Sequence, residues 1–167
     1  MPRIPFHQLP DDARLWVFPT SRSLTPSEEE GMLARVDAFL DDWAAHGTPL
    51  TAARDWREGR FLLVAVDEST APPSGCSIDS LARLLEELGR EWDVSFLDHA
   101  PVWYRTDGQV RQASRQEFRS MADAGEVTPE TPVFDNAVTR VSHLRGGEWE
   151  KPAGASWHRR AFFPKKD

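Results

Sequence analysis

The chain has 167 residues, of which 40% are hydrophobic, and this is enough for one domain or two small ones without a metal or disulfide to stabilise the core. Its formal charge of −7 disfavours general nucleic-acid binding, because an acidic surface repels phosphates. Cys76 is the only cysteine in the sequence, which excludes an intramolecular disulfide. The longest apolar run, residues 61–66, is too short to span a bilayer, and the first residues lack a signal-peptide pattern. We therefore expect a cytoplasmic protein.

The beginning of the chain predicts an arm, a strand and a helix. Residues 1–12 are interrupted by prolines and show no periodicity, so we expect an extended arm. A short apolar strand at 15–18 comes next. Residues 25–28, Thr-Pro-Ser-Glu, form a capping box, and apolar residues at helical spacing follow as far as Trp43. We expect this helix to end at 46–47, His-Gly.

The following segment predicts a hairpin, a second helix and a last strand. Residues 50–56 and 60–67 flank a short turn, and the unbroken apolar run of the latter indicates a central strand buried on both faces. A helix is expected from about Ser77, and a strand at 94–97. The order β-α-β-β-α-β is typical of a ferredoxin-like fold, in which two helices cover one face of a four-stranded sheet. We therefore predict an α+β fold with a ferredoxin-like two-layer half.

The second part of the chain predicts a smaller hairpin-helix-strand arrangement. The pair 107–108, Asp-Gly, lies between apolar segments and predicts a tight β-hairpin. Ser114 and Glu117 form another capping box, and Gly125 ends the short helix. The expected segments are an arm at 1–12, an α+β domain at 13–100, the hairpin-helix-strand segment at 101–136 and a C-terminal extension packed on the domain at 137–167.

Residues 103–134 resemble the bacterial GYF-like domain. They contain Trp-Tyr, an Asp-Gly turn, Ser-x-x-Glu-Phe, Gly-Glu-Val and Thr-Pro-Val-Phe in the order typical of that family. The resemblance implies a small fold whose relatives bind proline-rich peptides on an aromatic surface. The Gly-Pro-aromatic element that the family carries after the hairpin reads Arg111-Gln112-Ala113 in this chain.

The whole chain also resembles a family of uncharacterised bacterial proteins of similar length. The shared segments are Ser-Gly-Cys-Ser-Ile-Asp at 74–79 and Ser-Trp-His-Arg at 156–159. Some members of that family are labelled ABC transporter ATPases. A nucleotide-binding ATPase needs a Gly-x4-Gly-Lys-Ser/Thr loop to hold phosphates, and the sequence has none. The resemblance therefore implies no chemistry.

Cys76 is the candidate for thiol chemistry because it lies at the start of the second predicted helix. Backbone amides and the helix dipole favour a thiolate there, whereas Asp79 in the same turn opposes it. His158 is a possible base. The alternative interpretation is that Cys76 is a small buried side chain packed at the helix start.

Other catalytic and metal-binding patterns are missing from the sequence. No two of the five histidines are four residues apart, and the sequence offers only one cysteine as a further metal ligand. A Gly-x-Ser-x-Gly nucleophile elbow is also missing. We therefore predict no metal site and no cofactor.

The sequence contains seven tryptophans, and four of them fit predicted core positions in helices or strands. The others either fill a core or form an aromatic surface that accepts a partner. The predicted partner-binding residues are Trp103, Tyr104, Phe134 and Trp157. A basic C-terminus offers two further interpretations, an anion- or RNA-binding tail or a solvated tail whose aromatic rings pack on the domain. Its residues are His158, Arg159, Arg160, Lys165 and Lys166, with Phe162 and Phe163.

These observations favour a non-enzymatic adaptor that binds a protein or peptide, since no catalytic constellation is complete. The alternative is a thiol-dependent enzyme or redox sensor that uses Cys76, with His158 as base and Asp79 orienting the site. The oligomeric state stays open.

Overall fold

The computed structural model describes residues 3–164, which form two compact units with an α+β architecture. The first unit contains residues 3–98 and 139–142, and the second contains 99–138 and 143–164. The expected C-terminal extension thus contributes to both units. Lys165 and Lys166 of the predicted basic tail lie outside the described residues. Within the described range, no helix combines the length and apolar character needed to cross a membrane.

The first unit is built on a three-stranded antiparallel sheet. Its strands are β1 (Arg14–Pro19), β4 (Thr51–Arg57) and β5 (Phe61–Asp67), in the order β1-β5-β4. Every side chain from Phe61 to Val66 is fully buried. The prediction of a central strand buried on both faces is therefore confirmed.

Helix α1 (Pro26–Asp42) begins as predicted, because the Thr25 hydroxyl and the Glu28 carboxylate each accept the other residue's backbone N–H. It ends four residues before the expected His46. Trp43 leaves the helix to donate its indole N–H to the carbonyl oxygen of Ser77, at 2.8 Å. His46 has a φ of 51° and forms the turn between β2 (Ala44–Ala45) and β3 (Thr48–Pro49). The expected helix end is therefore wrong.

Helix α2 (Gly75–Trp92) begins before the predicted Ser77, because Ser74 and Ser77 form a capping box of their own. Both long helices pack their apolar side chains on the sheet, where they meet alternate side chains of β5. The buried helix residues are Met32, Val36, Leu40, Leu81, Leu85 and Leu88.

The predicted strand at 94–97 is wrong. The Ser95 hydroxyl accepts the backbone N–H groups of Leu97 and Asp98, so these residues form a local turn. The outer edge of β1 is covered instead by residues 139–141, where the Leu15 N–H donates to the Thr139 carbonyl at 2.9 Å. Residues 139–141 thus occupy the edge position that the sequence pattern assigned to residues 94–97.

The predicted N-terminal arm follows the other edge of the sheet. The backbone N–H of Ile4 donates to the carbonyl oxygen of Ala52 in β4 at 2.9 Å, and Arg3 pairs with Asp41 at 3.0 Å. The arm is not extended throughout, because residues Phe6–Gln8 form a 3₁₀ turn. These bonds fix the arm to the outer side of β4.

The second unit contains a four-stranded sheet in the order β7-β6-β8-β9. Asp107 and Gly108 have φ angles of 50° and 74°, so the predicted tight hairpin turn is confirmed. The strands are β6 (Val102–Thr106), β7 (Gln109–Ala113), β8 (Pro132–Phe134) and β9 (Glu150–Pro152).

Three α-helices follow the hairpin, and the first and the last of them complete the core of the second unit. Helix α3 (Arg115–Asp123) has the predicted capping box, in which Ser114 and Glu117 exchange side-chain bonds. A short helix α4 (Val141–Arg145) precedes β9. The last helix, α5 (His158–Phe162), packs Phe162 against Phe118 with a centroid distance of 4.9 Å. Phe162 is buried and Phe163 half-buried against the same core, so the predicted packing of the C-terminal aromatic rings is confirmed.

Candidate functional site

The sheet of the second unit separates two sets of side chains. Val102, Tyr104 and Val133 pack with Phe118 in the core beneath α3. Trp103 and Phe134 occupy the alternate positions of β6 and β8, and side chains at alternate positions of a strand lie on opposite faces. These two aromatic residues are both buried, and they therefore lie on the opposite face of the sheet, where they border a different surface of the unit.

That surface is an open groove of about 640 Å³. Trp103, Phe134 and Pro101 provide apolar walls, and Trp157 and His158 from the C-terminal segment border them. The remaining lining includes Arg115, His99 and Asn136. We call this the aromatic groove.

Trp157 is the most unusual side chain of the groove. It is 40% exposed, and no other large hydrophobic residue in the range 3–164 is as exposed. Its ring stacks on the imidazole of His158 at a centroid distance of 3.8 Å, and the Arg115 guanidinium carbon lies 5.1 Å from its centroid. The exposed indole is therefore held in a fixed orientation by a ring on one side and a cation nearby.

His158 is fully buried beside this indole. Its Nδ1 lies 2.7 Å from the Ser156 hydroxyl oxygen, while its Nε2 is buried and has no hydrogen-bond partner among residues 3–164. The pKa of His158 is lowered to about 4, mainly by burial; Asp135 raises it, and Arg115 and Lys151 contribute to the lowering. The ring is therefore neutral near pH 7. Leaving a buried polar atom such as Nε2 unsatisfied costs about 1–3 kcal/mol.

A second depression of about 620 Å³ adjoins the same tryptophan. It is lined by Trp157, Arg159, Arg160 and Phe163, together with Ser156. Trp157 is therefore shared by the two depressions, and a ligand that crosses its ring reaches both.

The structure brings together three of the four predicted partner-binding residues: Trp103, Phe134 and Trp157. Tyr104 is not part of the groove. It is buried in the core with its ring centroid 5.5 Å from that of Phe118, and burial raises the pKa of its hydroxyl. The reason is the strand alternation, which directs neighbouring residues to opposite faces.

The sequence did not predict several residues of the groove. Arg115 is the first residue of α3, so the capping box at Ser114 marks its position but not its proximity to Trp157. Asn136 accepts a hydrogen bond from the Trp149 indole N–H at 2.8 Å, and Trp149 packs on Phe134 at 5.1 Å. Trp149 thus positions two residues of the groove wall, a role that only the fold reveals.

The candidate thiol residues belong to different units. Cys76 and Asp79 lie in the first turns of α2 in the first unit, whereas His158 belongs to the second. Cys76 is exposed, so the interpretation of a buried side chain at the helix start is wrong. Asp79 is exposed as well. Within residues 3–164, no group of three or more His, Cys, Asp or Glu side chains is arranged to hold a metal ion.

The sequence and fold were also compared with known proteins. No protein-family model matches the chain, and no curated protein or solved structure is recognisably similar to it.

Proposed function

We propose that the protein is a binding module that holds an extended, proline-containing peptide segment in the aromatic groove. The single observation that carries this proposal is the exposed Trp157 ring, which separates two depressions instead of being buried. Exposed aromatic side chains beside apolar pockets are typical of peptide- and protein-binding surfaces. Proline-rich segments dock in aromatic-lined grooves because their polyproline II conformation is preformed.

The polar lining of the groove fits the backbone of such a segment. A polyproline II peptide makes no internal hydrogen bonds, so its carbonyl oxygens are available to a protein donor. Arg115 is an exposed residue of the groove lining, and its guanidinium offers such donors beside the Trp157 ring.

We also propose a fold relationship for each unit. The antiparallel order β1-β5-β4 with α1 and α2 supports a ferredoxin-like arrangement without its fourth strand. The hairpin, α3 and β8 of the second unit support a GYF-like arrangement that β9 and α5 complete. The peptide-binding proposal rests on the aromatic groove and not on residues 111–113, which lie in β7.

The test is a titration of the full chain with a ten-residue proline-rich peptide, followed by calorimetry. Trp157→Ala removes the exposed ring, and we expect it to weaken binding by on the order of 30-fold, as for a central aromatic of an interface. Trp157→Phe is the matched control, because it keeps a flat apolar ring and is expected to retain most of the affinity. Equal affinities for wild type and Trp157→Ala would contradict the proposal.

A second candidate function is thiol chemistry at Cys76, and the exposure of this residue in the first turn of α2 favours it. A cysteine thiol is reactive when it is accessible to solvent and when nearby positive potential stabilises its thiolate form. The test measures labelling of native protein with a thiol reagent. Faster labelling than that of a short cysteine peptide is the expected result. Labelling at the peptide's rate excludes this candidate.

A further inference from the structure

We propose that the peptide recognised by the aromatic groove carries carboxylate side chains beside its prolines. This inference rests on the proposed function and adds the chemical class of the ligand. It is carried by three arginines, Arg115, Arg159 and Arg160, which lie beside Trp157 in the two depressions.

These guanidinium groups have no acidic partner in the part of the chain that the structure describes. The Arg115 guanidinium lies near the Trp157 ring and donates only a long hydrogen bond, 3.4 Å, to the carbonyl oxygen of Ala100. Arg159 and Arg160 are exposed and form no ion pair with a described residue. Three arginine side chains that have no acidic partner among the described residues thus line the two depressions beside the exposed indole.

Two other cations of the same unit, Arg105 and Lys151, are neutralised within it. Arg105 forms a bidentate pair with Glu150, at 2.7 and 3.2 Å. Lys151 lies 3.2 Å from Glu148 and 3.6 Å from Asp135. The unit therefore has carboxylates to pair with its cations, but none of them is among the residues that line the two depressions. A ligand that supplies carboxylates there complements the surface.

The distribution of charge favours a peptide over a nucleic acid. The first unit has eighteen Asp and Glu against ten Lys and Arg, whereas the second, counted to the end of the chain, has nine against ten. The formal charge of the whole chain is −7, which repels a polyphosphate backbone at long range. A short peptide with one or two carboxylates feels the local arginines more strongly than the distant acids, because salt screens the latter. The groove walls are also apolar, which suits proline rings.

The experiment compares two ten-residue peptides with identical prolines, one flanked by glutamates and the other by glutamines. At low salt we expect the acidic peptide to bind on the order of tenfold more tightly, since each exposed charge pair contributes a factor of about two to five. The double variant Arg159→Gln and Arg160→Gln should reduce this preference to about twofold. The matched control is Arg83→Gln with Arg90→Gln, which removes the same charge from α2 and should keep the full preference.

The outcomes separate this inference from the proposed function. Equal binding of both peptides overturns the carboxylate preference and leaves the groove as a peptide site. If neither peptide binds, the proposed function fails and the inference fails with it. A single-stranded oligouridine that binds and displaces the acidic peptide would overturn the inference in favour of an RNA ligand. Loss of preference in the Arg83 and Arg90 control would show a general charge effect and also contradict it.

Discussion

His158 and Trp157 depend on one another in the second unit. The two rings stack with their centroids 3.8 Å apart. The indole helps to shield the imidazole from solvent, and the indole itself stays partly exposed. A histidine that stays neutral fills this position without adding a buried charge. The exposed indole is therefore supported by a buried ring from the next residue in the chain.

The buried imidazole makes the stability of the protein depend on pH. The pKa of His158 falls from 6.5 to about 4 on folding, so between these values the unfolded chain binds a proton that the folded chain does not. Stability is therefore complete above about pH 6.5 and decreases as the pH falls toward 4. The shift corresponds to a loss of about 2–3 kcal/mol between pH 7.5 and 4.5.

Urea unfolding at these two pH values checks the prediction in wild type and His158→Gln. The variant should lose about 2–3 kcal/mol less than wild type over the same interval. The carboxylates with lowered pKa values, Glu28 at about 2, Asp37 and Glu117, lose most of their stabilisation below pH 4.5, and the part lost above it is common to wild type and variant. An NMR titration that places the His158 pKa above 6 would contradict the structural account.

At the scale of elements, the end of α2 depends on a close backbone approach. A Cβ on Gly89 would lie 2.5 Å from the carbonyl oxygen of Val94, whose N–H donates to the Gly89 carbonyl at 3.0 Å. Alanine is ordinarily favoured over glycine in a helix by about 1 kcal/mol. At this position the contact with a backbone atom reverses the preference.

We therefore expect Gly89→Ala to destabilise the protein by about 1–3 kcal/mol, as overpacking of a fixed backbone does. Gly75→Ala in the same helix is the matched control, because its Cβ would meet nothing within 4 Å, and it should be neutral or stabilising by a few tenths of a kcal/mol. Thermal unfolding of both variants measures the difference. A gain of stability in Gly89→Ala would show that the turn after α2 relaxes freely.

The elements that could be predicted from the sequence are those with local causes. The capping boxes at Thr25 and Ser114 and the hairpin turn at Asp107 each need only neighbouring residues, and each is present. The exit of Trp43 from α1 depends instead on the distant Ser77 carbonyl, which no local pattern encodes. The backbone bonds between residues 139–141 and the edge of β1 are likewise a long-range pairing.

The candidate site was predictable in part for the same reason. The number of aromatic residues indicates a candidate surface. Only the fold shows which residues of each strand face the core, and it places Tyr104 there. The neighbours of Trp157 come from segments far apart in the chain, including Arg115 of α3. Proximity of this kind follows from the tertiary fold alone.

At the scale of the whole molecule, the two units differ in charge and in the surface they present. The first unit is strongly acidic and buries its helices' apolar faces on the sheet, whereas the second is nearly neutral and keeps one tryptophan exposed among arginines. Acidic character favours solubility of the chain, and local arginines favour an acidic ligand. Binding should therefore weaken as salt screens the arginines.

The most direct test uses the indole N–H resonances of the full chain, recorded by ¹⁵N–¹H NMR while the acidic proline-rich peptide is added. Tryptophans of the groove should shift and saturate with one affinity, and those of the first unit should stay in place. The groove reporters are Trp103 and Trp157, and the reference signals are Trp16, Trp43, Trp56 and Trp92. Unchanged groove resonances at saturating peptide, or shifts confined to the first unit, would contradict the account.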